Sequence, residues 1–433
     1  MPVVSAAAAS CPDQGPPPPD RPAGHDREAV SAARLAEEIG RLATEMTARQ
    51  LSATEPSVAE LAAAVERLGR MVRTARDTAA DDEEEYGGPV PEAARVAPTA
   101  VTAGGLPCDG LAFAALTKPH RRAVRAHCYR MTGSWDDAED LVRETFLRAW
   151  RARDTFTGGE LGAWLYRMAT AACLDLQRRT ARRPHAYDAL PGFGQGSGEA
   201  PTRVAWLQPY PDAELPPDEG AFEAGDGGEA TGEGVVPRGP LGLAAVVALQ
   251  QLPPRQRAAL LLRDVLALSP ARTAEALDMT PDALESALLR ARPALRALLP
   301  DGVPGPASGG DAVLARYTAA AEAGDLAALG GLLAEDVLLT APPNRWWCAG
   351  REAVLAFLRP ALDPASPAYP GHRLHRPTRA NGRPAAGIYV RRTGTAVHRA
   401  EAFVVLSVAD DRVTRITSFE PHLLPAFGLP PRL

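Results

Sequence analysis

Between His120 and Arg183 apolar residues recur twice at helical spacing, and no other part of this 433-residue chain restricts its fold more tightly. Ala138, Leu141/Val142, Thr145/Phe146 and Ala149/Trp150 fall three and four apart, so they line one face of a helix. Ser134 stands at its start as an N-cap, with Asp137 three residues on, a shorter version of the capping box. After Gly158-Gly159 a second run follows through Leu161, Trp164/Leu165, Met168/Ala169, Ala172 and Leu176. It ends in Gln177-Arg178-Arg179-Thr180-Ala181-Arg182-Arg183. An acid-rimmed helix is therefore followed by one that carries aromatics and a basic end.

Charge is segregated along the chain. The net −6 divides into about −8 over residues 1–110, +6 over 111–183, −8 over 184–240, +2 over 241–299 and +2 over 300–433. A basic block between two acidic ones fits a nucleic-acid site flanked by solvated segments. Lys118 is the only lysine among 47 basic residues, a bias that suggests a high-GC genome more than a chemical need. Five cysteines (Cys11, Cys108, Cys128, Cys173, Cys348) have no CxxC pair and no metal-ligand spacing. They predict neither a zinc site nor a disulfide framework; Cys128 and Cys173 fall on apolar helix faces as buried thiols, and a reducing cytoplasm is the expected setting. The N-terminus lacks a basic and then apolar leader pattern, and no apolar run approaches the ~20 residues that span a bilayer, so no membrane role is expected.

The 42 Pro and 38 Gly are unevenly spread and mark the boundaries. Residues 1–110 read as an extension that is largely disordered, with two possible amphipathic helices at 25–50 and 57–78 before an acid run, Asp81 to Glu85. Residues 111–183 read as an all-helical domain, 184–240 as an acidic Pro/Gly-rich linker, 241–299 as a second helical domain and 300–310 as another linker. In 311–433 helical runs at 312–323, 326–333 and 351–358 alternate with strand-like runs at 337–340, 385–391, 400–408 and 413–419. This pattern predicts an α+β domain, a curved antiparallel sheet with helices on one side.

The stretch Asp136–Trp150 with the following helix resembles region 2 of extracytoplasmic-function (ECF) sigma factors of the sigma-70 family, the subunits that bind bacterial RNA polymerase and open promoter DNA. The resemblance implies that Asp140, Leu141, Glu144 and Leu147 dock on the clamp helices of the polymerase's largest subunit. It also implies a DNA-facing second helix, with Arg167, Thr170, Arg178, Arg179, Arg182 and Arg183 holding the melted −10 strand. Trp164 fits either the apolar stripe or a base-stacking surface. Arg143 stands where the family commonly has Gln, and Ala171 where Asn is common; the Gly-rich loop is about one residue short.

Leu252-Pro253-Pro254-Arg255-Gln256, then Ser269–Leu277, a turn at Asp278-Met279 and a helix from Thr280 form a helix-turn-helix pattern, with prolines at helix starts and Ser/Thr caps. It resembles region 4 of the same factors, which reads the −35 element. Leu284, Ala287, Leu288 and Ala291 make the packed stripe, and Ser286, Arg290 and Arg292 are the expected DNA contacts. Glu285 and Leu289 replace common Asn and Gln, and Pro293 is expected to interrupt the helix end.

The last segment is similar to the SnoaL-like, NTF2-like domain fused to some of these factors, through Ala323-Gly324-Asp325-Leu326, Trp346-Trp347, Gly350-Arg351-Glu352-Ala353-Val354 and Asn381-Gly382-Arg383-Pro384-Ala385. The resemblance implies contact between this domain and the sigma regions, tuning their activity, and a possible pocket with Asp336, His372, His375 and His398 as conceivable acid–base members. No catalytic residue, cofactor or metal ligand is expected. Two other readings stay open at this point: a SnoaL-like enzyme (cyclase, isomerase or hydrolase) with a DNA-binding front end, and a helix-turn-helix regulator that works without polymerase. The acidic linker 184–240 is expected to occupy the basic RNA-exit path of the polymerase.

Overall fold

The computed structural model describes residues 106–156, 158–190, 200–216, 236, 241–299 and 309–433. The helices expected at 25–50 and 57–78 lie outside them.

Four helices form the first module: α1 (Gly110–Thr117), α2 (Arg121–Thr132), α3 (Trp135–Arg151) and α4 (Leu161–Thr180). Ser134 caps α3 as the sequence predicts, its hydroxyl accepting from Asp137 N at 3.1 Å. Most of the predicted stripe is buried, with Ala138, Val142 and Ala149 fully so, while Phe146 and Trp150 are half-buried. Cys128 and Cys173 are buried, and burial pushes the Cys173 thiol well up, which keeps it protonated.

The second module holds α5 (Leu243–Gln251), α6 (Pro254–Leu260), a π-helical turn Leu261–Val265, α7 (Pro270–Ala276) and α8 (Pro281–Leu298). Ser269 and Thr280 cap α7 and α8 through their hydroxyls, and Pro270 and Pro281 sit at the helix starts, where a missing N–H costs nothing. The turn between them needs Asp278 at φ 52°, a left-handed position that Asp tolerates. Pro293 does not interrupt α8, which runs on to Leu298. The carbonyl four residues earlier that loses its donor belongs to Leu289, which is exposed to solvent.

The third module is a seven-stranded sheet in the order β2-β5-β4-β9-β8-β7-β6. Its strands are β2 (Asp188–Ala189), β4 (Leu333–Thr340), β5 (Trp346–Ala349), β6 (His372–Ala380), β7 (Arg383–Arg391), β8 (Arg399–Ala409) and β9 (Arg412–Phe419). A small separate pair joins β1 (His185–Ala186) to β3 (Thr202–Arg203). One face, with Ala386, Ile388, Val404 and Leu406, packs on α9 (Gly310–Ala323), α10 (Leu326–Leu332) and α11 (Arg351–Leu362). The opposite face, with Ala385, Tyr389, Phe403 and Val405, belongs to the same apolar cluster as the helical modules. Period-two alternation along β7 and β8 thus serves two cores at once. The sheet is mixed, because β4–β9 and β2–β5 are parallel.

Residues 184–240 are not a linker throughout. β2 adds the seventh strand to the sheet, with Asp188 beside Trp346. Further on, Val204, Leu207 and Tyr210 are buried. Trp206 Nε1 donates to Thr132 O at 2.7 Å, and Gln208 binds Ser134 Oγ, Asp136 N and Asp136 Oδ2 at the start of α3. Their spacing had no regular period because the segment is extended between two modules, burying single side chains on either side. Residues 200–216 are thus packed against region 2 and the sheet rather than forming an open tether.

Candidate polymerase and nucleic-acid interfaces

On α3 the acidic strip and an apolar groove lie side by side. Asp140 is exposed and paired with Arg143, one turn on. Glu144 accepts from Arg148 Nε at 2.6 Å, and Arg148 also reaches Asp175 on α4 at 2.8 Å. Leu147 is 51% exposed. It borders a groove of about 750 Å³ floored by Phe113, Phe146 and Trp150 and rimmed by Lys118, Arg121 and Arg143. Leu141, expected to dock, is instead 4% exposed and packs in the core, since its position falls on the stripe with Ala138 and Thr145.

On α4 the basic end is open. Arg178 pairs with Asp175 and projects into solvent, and Arg179 and Arg183 are exposed. Arg182 pairs with Asp137 and lies over the Trp206 ring, 5.7 Å from its centre. Arg167 is exposed and bound to Glu275 of α7 at 2.9 Å. Thr170 is corrected: it is fully buried, accepts from His127 Nε2 at 2.9 Å and passes its own proton to Tyr166 O at 2.8 Å. Burial pulls the His127 ring down to about 3, so it is neutral. Trp164 is half-buried, edge-on to Phe156 at 5.4 Å, and lines an open cavity as well as the core.

On α8, Ser286 and Arg290 are exposed, on the side away from the packed stripe. Arg292 is corrected as a free DNA contact. It is mostly buried and bonds Asp264 Oδ1 at 2.9 Å, tying α8 to the π-helical turn.

The two helical modules are interlocked. Arg257, 4% exposed, donates to Leu249 O, Met131 O, Gln250 Oε1, Gln250 O and Leu252 O. Its charge is met by carbonyl dipoles, including one at the C-terminal end of α2. Sequence reading passed over it as one more arginine in a Pro-Pro-Arg-Gln-Arg run.

The four pocket candidates of the third module do not converge. Asp336 and His372 are exposed, and His398 exchanges backbone hydrogen bonds with Leu433. His375 alone is buried; its Nδ1 lies 3.2 Å from Glu322 of α9, a residue the sequence did not single out. Burial lowers the His375 ring, which Glu322 partly offsets. Among the described residues no three His, Cys, Asp or Glu side chains gather to hold a metal ion.

Asn381 joins the sheet to region 2, to residues 200–216 and to Leu241 ahead of α5. It sits in a two-residue Asn-Gly turn between β6 and β7 at φ 54°, a position Asn favours. Its side chain donates to Tyr129 Oη at 3.0 Å and Leu241 O at 2.7 Å and accepts from Tyr210 N at 2.8 Å. His422, after β9, adds a contact to Asp136 at 3.1 Å.

The acid-faced helix, the basic-ended one and the capped helix-turn-helix are the parts that family matches identify as those of a sigma-70-type subunit. Residues 116–183 match the Sigma-70 region 2 family, 243–295 Sigma-70 region 4 and 314–416 the SnoaL-like domain. The chain is 40% identical over 330 residues to the ECF RNA polymerase sigma factor SigG of Mycobacterium tuberculosis H37Rv, covering 74% of this chain and 85% of SigG. It is 34% identical over 228 residues to SigJ of the same strain, covering 51% of this chain and 64% of SigJ. The crystal structure of M. tuberculosis SigJ aligns over 74% of this chain and all of that one, at 23% identity and a TM-score of 0.45. This chain belongs to the ECF RNA polymerase sigma factors, and its function is promoter recognition for RNA polymerase. No helix among the described residues is long and apolar enough to cross a membrane.

Proposed function

We propose that region 2 meets the clamp helices of the polymerase's largest subunit through Asp140, Glu144 and Leu147. The exposed Leu147 at the edge of the apolar groove of Phe113, Phe146 and Trp150, next to Asp140 and Glu144, carries this reading, because a contiguous apolar groove suits a protein partner. Arg178, Arg179 and Arg183, with Arg167 once freed from Glu275, hold the phosphates of the unpaired −10 strand; Ser286 and Arg290 of α8 contact the −35 element. The SnoaL-like domain acts as a regulator without catalysis, working in the cytoplasm through its contacts with region 2 and residues 200–216. The Asn381 bonds, and the separation of Asp336, His372 and His398 from the buried His375, support that assignment over an acid–base site.

Run-off transcription with purified core polymerase on genomic fragments tests the whole. The full chain should fire a subset of promoters. Arg178→Glu with Arg179→Glu should abolish open complexes and leave core binding intact; loss of core binding instead would mean that the two faces are exchanged.

A further inference from the structure

Thr155, Phe156, Gly158, Gly159 and Glu160, with the first turns of α4, form one wall of a cavity of about 240 Å³, and Leu268 with α7 of region 4 forms the other. Phe156, Ala163 and Trp164 supply apolar and planar surface from region 2; Leu268 and Ala276 face them from region 4. The Trp164 indole N–H is buried with no hydrogen-bond partner among the described residues. Two ion pairs close the rim, Arg167 with Glu275 at 2.9 Å and Arg272 with Glu160 at 3.1 Å.

We propose that α7 is an intramolecular cover over the site where region 2 takes an unpaired DNA base. The inference rests on the reading of α4 as the DNA side. An unstacked base needs a planar or apolar wall and a cation for its phosphate. Phe156 and Trp164 offer the wall and Arg167 the cation, and in the free chain the Glu275 carboxylate stands where a phosphate oxygen would. Single-stranded DNA and α7 therefore compete for the same groups.

The two sides of the region 2–region 4 contact differ in kind. Around Arg257 it is buried and fully hydrogen-bonded, whereas at α7 it is polar and its ion pairs are partly exposed. Such pairs are weak individually, so a partner can break them. Region 4 opens from the α7 end, with the Arg257 side as the hinge.

The test uses the full chain with Arg272→Glu and Glu275→Arg together, which reverses both pairs and leaves the net charge unchanged. Hydrogen exchange over residues 155–167 reads the opening. Fluorescence anisotropy with a randomised single-stranded DNA of about 12 nucleotides reads the site. The reversed chain should exchange faster there and bind the oligonucleotide roughly ten-fold more tightly. Adding Glu160→Arg and Arg167→Glu restores complementary pairs and should bring back protection from exchange. Unchanged exchange in the reversed chain overturns the latch, and faster exchange with unchanged affinity overturns the competition. Arg178→Glu with Arg179→Glu in the reversed chain should abolish the gained binding; if binding persists, the assignment of the DNA face fails and not the latch.

Discussion

Asn381 Nδ2 stands 3.0 Å from the Tyr129 hydroxyl, which passes its own proton to Gln208 O at 2.9 Å. One short chain of hydrogen bonds thus links the sheet, region 2 and the segment between the two sigma regions.

Replacing Asn381 by Ala removes three buried hydrogen bonds and leaves Tyr210 N–H without its acceptor. The expected loss is about 3 kcal/mol, read as a lower urea midpoint. Asn381→Gly keeps the turn conformation and loses the same bonds, so it should be nearly as unstable; recovery in Gly would place the cost in the backbone instead.

Leu141 and Leu147 should separate stability from docking. Leu141→Ala opens the core and should cost about 2–4 kcal/mol. Leu147→Ala should leave the urea midpoint within about 0.5 kcal/mol and weaken core polymerase binding, measured by competition for core.

Arg257→Met should destabilise the chain by about 3 kcal/mol or more, because several buried carbonyls lose their donor. Arg257→Lys should rescue little, since an ammonium cannot span acceptors on α2 and on the α5–α6 turn together. Amide exchange in α5 should rise in both variants.

Acid should weaken the fold through His127. Its folded-state pKa, about 3, lies below the ordinary 6.5, so the unfolded chain takes up a proton that the fold refuses. Stability from this group is full above pH 6.5 and falls as the pH drops toward 3, by about 2 kcal/mol at pH 5. A His127→Gln chain should show a flatter dependence of urea midpoint on pH between 7 and 5.

The helical modules were legible because their apolar residues repeat with a 3.6-residue period and their starts carry Ser, Thr and Pro caps. Strands β7, β8 and β9 were legible from apolar runs. Strand β6 was not, since His372, Arg373, His375, Arg376 and Arg379 hide its alternation; the Asn381-Gly382 pair that follows is a hairpin turn signal that could have located its end but was read only as part of the resemblance. At the interfaces, the sequence placed Asp140, Glu144, Leu147, Arg178 and Arg290 on the outside. Spacing had put Leu141 on the buried stripe, and only the resemblance gave it a docking role; Thr170 and Arg292 were misplaced because neither spacing nor resemblance reveals a buried partner such as His127 or Asp264. Arg257 escaped notice for the same reason. Its partners are backbone carbonyls, which leave no trace in side-chain spacing.

Region 4 ends at Leu299 and the third module resumes at Gly309. About ten residues reach at most ~35 Å when fully drawn out. Two DNA elements some 25 base pairs apart lie about 85 Å from one another along straight B-form DNA. Wherever the −35 reader goes, the SnoaL-like domain must follow on this short leash. With region 4 on one element and region 2 on the other, that domain would have either to span the gap itself or to give up its contacts with region 2.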